Sequence, residues 1–344
     1  MTVKTHGIKY LGSKRVLLPQ LESIFKDIAP RTALDVFTGT TRVAQLMRQL
    51  GVRVTTSDTA TYSRVFSHAW VSGCYNIAYV EHVAAMLNMQ PGHRGWFTQN
   101  YCDVPGVKGG IVRFVTPANG MKVDFIRDEI ADMLSRGQLS MHEADALIAT
   151  LIMAVDRVDN TTGIQQAYLK EWCTRSQTAL DMIVYKTPVG PIGNHIVGDV
   201  LTCQLPSADL AYIDPPYNQH VYSTNYHIWE SLVRWDKPAV DLKTNRRIDL
   251  CGGGVATPWN RRKDVGDAFR QLLNRLDVSI ALISYSSGSH MSLDELTAIV
   301  AETHDIIDVM RCDITQHIMS VTCSSDVVDR PERQEWIIKA KSRS

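Results

Sequence analysis

The sequence lacks the features that would tie a chain to a membrane, an oxidising compartment or a metal. No apolar run approaches the ~18–20 residues needed to cross a bilayer. The N-terminal stretch MTVKTHGIKYLGSKR has no apolar signal-peptide core. Its seven cysteines are scattered and odd in number, and no two have CxxC spacing, which argues against a disulfide framework or a zinc cage. Reduced cysteines in a cytoplasmic protein, and no metal site, are the expectation. There is no excess of either charge, with 36 Lys and Arg against 36 Asp and Glu, so any nucleic-acid surface has to be a local patch. No GxGxxG follows the first apolar strand, which removes the support for a nicotinamide dehydrogenase. Internal repeats and low-complexity tracts are also missing.

What is present is an ordinary globular composition, 44% apolar and 21% charged over 344 residues, enough for one large domain or two modest ones. Ala33–Phe37 reads as a short strand running into Thr38-Gly39-Thr40-Thr41. A helical pattern follows (Val43, Leu46, Met47, Leu50), with Gly51 as its stop, and residues 52–57 form a second strand ending at Asp58. Strand, turn, helix, strand with a terminal acid is the order of nucleotide-binding doubly wound sheets. Residues 61–190 turn mostly helical: Val123, Ile126, Ile130 and Met133 lie at helical spacing before Gly137, and Ser140 to Glu143 forms a capping box. The glycine- and proline-rich stretch 100–120 between them predicts an irregular or hairpin segment. Strands resume at 196–200, 208–214 and 278–285, and IIDVM and EWIIKAK read as a closing antiparallel pair. The expected architecture is an α/β core, residues 1–60 and 191–344, interrupted by a helical insertion, 61–190.

The most informative stretch is LAYIDPPYNQH (210–220), where a buried strand ends at Asp214-Pro215-Pro216-Tyr217. Ligands bind outside the carboxyl ends of strands in open α/β sheets. Two prolines stiffen the turn and lack N–H donors, leaving the Asp214 carboxylate and backbone carbonyls as rigid acceptors beside the Tyr217 ring. That set suits a planar heterocycle bearing an exocyclic amine. A plain strand-ending turn is the simpler alternative for a lone Asp-Pro or Pro-Pro pair.

Five stretches in family order, IKYLGSKRVLLPQL (8–21), LDVFTGTTRVAQ (34–45), DRVDNTTGIQQAYLKEW (156–172), YIDPPYNQHVYSTNYHIWESL (212–232) and ALISYSSGSHMSLDEL (281–296), resemble the N6-adenine DNA methyltransferases of the Dam-like group. The likeness is greatest to the FokI-type modification methylases. The resemblance implies a Rossmann-like class I methyltransferase core, S-adenosylmethionine as donor, and transfer to the N6 amine of a flipped adenine in double-stranded DNA. Asp214 and the Pro215 carbonyl would accept the N6 hydrogens, with Pro216 and Tyr217 completing the catalytic corner. Tyr10, Gly12, Ser13, Lys14, Asp35, Phe37, Gly39, Asp58 and Asp199 would hold the donor. Asp58 also reads as a loop-capping acid, and Lys14 as a solvated surface lysine. Thr40 stands where the family often has a second glycine.

The stretch 243–263 holds six basic residues and one acid around Gly252-Gly253-Gly254. Arg246, Arg247, Arg261, Arg262 and Lys263 are therefore candidates for DNA phosphates, with a solvated loop as the alternative. The insertion occupies the place of the target-recognition region; Arg94, Lys108 and Arg113 are candidates there. Asn160, Thr161 and Thr162 either read bases or support the active site, and Tyr222, Asn225 and Tyr226 are candidates for the pocket wall. A cognate restriction endonuclease is the implied partner, with the chain a monomer or weak dimer and no membrane contact. C5-cytosine chemistry is set aside because its cysteine nucleophile usually follows proline, and no Pro-Cys occurs. N4-cytosine, RNA or protein-amide methylation, and a non-catalytic DNA-binding role, stay open. Aspartate at 214 favours adenine over the serine typical of cytosine enzymes and the asparagine of amide methylases.

Overall fold

The computed structural model describes residues 4–102, 114–169, 171–216, 221–241, 244–250, 257–314 and 333–343. Tyr217, Lys108, Arg113, Lys243 and Gly252-Gly253-Gly254, singled out in the sequence, lie outside them.

The strands in chain order are β1 (Thr32–Asp35), β2 (Arg53–Asp58), β3 (Asn194–Val197), β4 (Ala208–Ile213), β5 (Val240–Asp241), β6 (Arg246–Arg247), β7 (Val278–Ser286), β8 (His304–Ile314) and β9 (Arg333–Ser342). β5 and β6 form a small ribbon. The other seven make one sheet in the order β3-β2-β1-β4-β7-β9-β8. β1, β2, β3, β4 and β7 are parallel. β9 slots antiparallel between β7 and β8. The chain steps outward from β1 to β2 and β3 on one side and to β4 and β7 on the other. The crevice that binds ligands in such sheets therefore falls between β1 and β4.

The helices are α1 (Leu18–Ile28), α2 (Arg42–Gln49), α3 (Thr61–Ser67), α4 (Ile77–Met89), α5 (Trp96–Tyr101), α6 (Pro117–Ser135), α7 (Met141–Val158), α8 (Tyr222–Asn225), α9 (His227–Arg234), α10 (Val265–Arg275) and α11 (Leu293–Val300). On one face of the sheet, Leu21 and Phe25 of α1 and Leu46 and Met47 of α2 pack with Leu210, Tyr212 and Leu282. On the other, Phe269 and Leu272 of α10 and Leu296 of α11 pack with Ala211, Ile213 and Ile283. Each fully buried side chain of this size contributes ~1.5–3 kcal/mol.

Helices α3 to α7 all fall between β2 and β3. They form a third core around Phe66, Trp70, Phe97, Ile126 and Leu147. That core also takes in Ile228, Trp229 and Leu232 of α9, the helix that follows the Asp214 corner. Helices α3 to α7 and α9 thus share one packed core. Both ends of the stretch expected to be irregular or a hairpin are helical instead. Tyr101 ends α5, and Thr116, whose side chain accepts from the Asn119 N–H, caps α6 with Pro117 in its first turn. Gly120 inside α6 is needed because a Cβ there would lie 2.3 Å from Cys102 Sγ. The Ser140–Glu143 capping box of α7 forms as read. β3 is shorter than read, stopping at Val197 and leaving Gly198-Asp199 as a turn beyond the strand end.

Candidate active site

A cavity of about 420 Å³ opens at the carboxyl ends of β1, β2 and β4. Asp214, Pro215 and Pro216 border it from β4, Gly39 and Phe37 from the turn after β1, and Asp58 from β2. Its volume lies in the range of small-molecule sites.

The Asp214 carboxyl, 16% exposed, rests on the buried ammonium of Lys14, Nζ to Oδ1 2.8 Å. The same ammonium lies 2.8 Å from Glu335 Oε1 on β9. Ser284 Oγ of β7 donates to that oxygen at 2.6 Å. Lys14 stands in the short helical turn before α1, and its side chain reaches the rim where β4 and β7 end and β9 begins. Burial pushes the Asp214 carboxyl up to about 7; the Lys14 charge pulls it down and Glu335 pushes it up. Lys14 was expected at the donor. It does not border the cavity: its ammonium sits behind Asp214, because two carboxylates buried together require a cation between them. Glu335 escaped the sequence reading, since nothing local in EWIIKAK distinguishes it from a surface acid.

The turn after β1 is tight. The Thr38 N–H bonds Ser57 O and the Thr41 N–H bonds Thr38 O at 2.7 Å. Gly39 has φ +49° and Thr41 φ +62°. A left-handed, β-branched Thr41 stores about 1–2 kcal/mol of strain. Thr40 is not among the positive-φ residues, so the backbone at this position does not require glycine. A Cβ on Gly39 would come within 3.1 Å of the Tyr10 ring. Asp58 accepts the N–H groups of Gly39 and Ala60, both at 2.9 Å, and also borders the cavity. It is thus a loop-capping acid and a cavity acid at once, and burial raises its pKa against these bonds. Asp35 is buried beneath the turn and accepts from Thr38 Oγ at 2.8 Å. Burial pushes it up to about 7. Neither Asp35 nor Ser13, both expected at the donor, borders the cavity. Phe37 and Asp199 do border it: Phe37 packs edge-on to Trp259 at 5.0 Å, and the Asp199 carboxylate accepts the Leu201 N–H at 3.0 Å.

Tyr10 and Gly12 form another stretch of wall. The Tyr10 ring stacks on Tyr226 at 4.5 Å and its hydroxyl meets that of Tyr62 at 2.9 Å. The Leu11 N–H donates to Tyr226 Oη at 2.7 Å, and Tyr222 Oη donates to Leu11 O at 3.2 Å. Tyr222 borders the cavity, whereas Tyr226 and Asn225 are buried behind it. Gln165 pins the same segment from the insertion: its N–H bonds Asn225 O at 3.0 Å and its Oε1 accepts the Ile228 N–H at 2.6 Å. Asn160 and Thr161 are tied into that support, Asn160 accepting the Cys173 N–H and Thr161 Oγ donating to Asp159. Both are buried, which leaves them unavailable to bases.

The basic candidates divide. Arg261, Arg262 and Lys263 are exposed just after the cavity residues Thr257, Trp259 and Asn260. Arg94 is exposed in the insertion. Arg246 is half-buried and donates to Gln166 Oε1. Arg247 has to be corrected. It is 1% exposed, and Asp236, at 2.9 and 2.6 Å, and Asp249, at 3.1 Å, take up its guanidinium, so it cannot meet a phosphate. Two further charged cavity residues went unread, Glu230 and Arg234, one turn apart on α9. Their helical spacing in YHIWESLVR was the available signal.

Residues 10–265 match the family profile described as D12 class N6 adenine-specific DNA methyltransferase. Among curated relatives, modification methylase LlaI of Lactococcus lactis subsp. lactis is 28% identical over 84% of this chain and 48% of its own length. Type II methyltransferase M.NlaIII of Neisseria lactamica is 26% identical over 85% of this chain and 87% of its own. Type II methyltransferase M.FokI of Planomicrobium okeanokoites is 25% identical over 88% and 48%. The chain therefore spans about half the length of the LlaI and FokI enzymes and most of the NlaIII enzyme.

Proposed function

Because the chain belongs to the D12 class N6 adenine-specific DNA methyltransferases, we propose that it methylates the N6 amine of adenine in double-stranded DNA, with S-adenosylmethionine as donor. The observation that carries this reading is one cavity bordered by both the Asp214-Pro215-Pro216 corner and Asp58. The donor supplies an electrophilic methyl carbon on a cationic sulfur. The residues present fit it: the Asp58 oxygens keep lone pairs for ribose hydroxyls, and Gly39 leaves its own position in the β1 turn without a side chain at the cavity. The apolar wall of Phe37 and Trp259 suits an adenine ring.

Asp214 and the Pro215 carbonyl accept the two N6 hydrogens of a flipped adenine. This keeps the nitrogen lone pair out of the ring and aimed into the cavity. Lys14, itself anchored by Glu335, holds the Asp214 carboxylate in place while this happens. Tyr222 packs against the extruded base and offsets part of the few kcal/mol of unstacking. Arg261, Arg262 and Lys263 neutralise phosphates beside the cavity mouth, and the α3–α7 insertion carries target recognition. On this reading the protein acts in the cytoplasm as a monomer or weak dimer, and a restriction endonuclease of matching specificity is its partner.

The experiment is product identification. Purified protein, unmethylated DNA and methyl-labelled donor are incubated and the DNA is digested to nucleosides. Label in N6-methyldeoxyadenosine is expected; label in N4-methyldeoxycytidine, or none in DNA, overturns the reading.

A further inference from the structure

Helix α3 begins with an anomaly. Its N-cap is Ala60, which has no side-chain acceptor for the first N–H groups. Those groups are instead served by Glu230, which belongs to α9 and comes from beyond the catalytic corner. Glu230 Oε1 accepts the Thr61 N–H at 2.7 Å and Oε2 accepts the Thr61 hydroxyl at 2.7 Å. The preceding N–H, of Ala60, goes to Asp58. Two carboxylates from different elements therefore hold one short loop, and Asp58, Thr59, Ala60, Tyr62 and Glu230 all border the cavity. Glu230 is 8% exposed, so little solvent competes for these bonds.

We propose that Glu230 is a positioning residue for the methyl donor: from the helix that follows the target-side wall, it fixes the loop whose Asp58 meets the donor ribose. This deepens the reading above and rests on it. The Tyr222–Tyr226 wall leads directly into α9, so the donor side and the target side of the cavity are mechanically joined through Glu230. Loss of Glu230 frees the loop and weakens the donor before it touches the chemistry.

The test compares wild type, Glu230→Gln and Thr61→Val by calorimetric titration with S-adenosylmethionine and by steady-state methylation. Glu230→Gln keeps the volume but replaces one acceptor by a donor, and Thr61→Val removes a single bond. Expected is a donor Kd and KM raised about tenfold in Glu230→Gln and about threefold in Thr61→Val, on the scale of hydrogen bonds to a charged group. At saturating donor, kcat falls less than threefold. Unchanged donor Kd in both variants overturns the proposal. So does a fall in kcat and thermal midpoint with Kd unmoved, the pattern of a merely structural role. Failure of the wild type itself to bind donor would instead strike the parent reading.

Discussion

Lys14 Nζ lies 2.8 Å from Asp214 Oδ1, joining the first helical turn of the chain to the tip of the central strand β4. With Glu335 on its other side, the ammonium serves two buried carboxylates, and the charge state of Asp214 depends on both.

A pH profile exposes this arrangement. On the proposed reading the carboxylate form of Asp214 accepts the amine, and burial pushes its pKa up to about 7. In the free enzyme kcat/KM for the donor therefore rises with pH through a limb near that value. Lys14→Met removes the charge that lowers the pKa, so the limb moves to higher pH, by about one unit or more. Glu335→Gln removes a charge that raises it, and the limb moves to lower pH. Initial rates from pH 5.5 to 9 check both directions.

Fold stability carries a second pH signature. The Asp35 pKa is raised to about 7 in the folded protein, against about 3.9 unfolded. The folded state thus holds a proton the unfolded state has released, and stability falls as pH rises from about 4 to 7. Asp35→Asn still accepts from Thr38 and does not titrate. Its denaturation free energy should be flatter over that window by up to ~1.4 kcal/mol per pH unit, measured by urea unfolding.

The arginines separate by salt dependence. Replacing Arg261, Arg262 and Lys263 together by alanine should weaken DNA binding evenly across sequences and reduce the slope of log K against log salt by about 2–3. Arg247→Ala should leave that slope alone. It strips the cation from Asp236 and Asp249, which are themselves 34% and 42% exposed, and lowers stability by about 2 kcal/mol in thermal unfolding.

Gly39→Ala tests the β1 turn. At φ +49° a side chain costs about 1 kcal/mol, and the new methyl presses on the Tyr10 ring. Donor affinity should fall about tenfold by titration, with the thermal midpoint lowered by a few degrees.

Much of the sheet was legible because its signals are local. Ala33–Asp58 shows strand, turn, helix and strand within one short stretch, and the parallel strands buried on both faces read as apolar runs. The Asp214 corner, Gly39, Phe37 and Asp58 were legible for the same reason: a strand end marks a crevice. What stayed hidden depends on distant pairing. β9 enters between β7 and β8, and only that insertion brings Glu335 to Lys14. Glu230 meets Thr61 only because α9 packs into the insertion's core. Arg247 looked like its neighbour Arg246 in sequence; the β5–β6 ribbon leaves Arg246 half-buried against Gln166 and buries Arg247 fully.

The most direct test uses Asp214→Ala on a single preparation, with donor titration and single-turnover methylation measured side by side. Donor Kd within about threefold of wild type, with transfer to adenine slowed at least about a thousandfold, is expected. Transfer at near wild-type rate would show that the carboxylate at the tip of β4 does not hold the target amine.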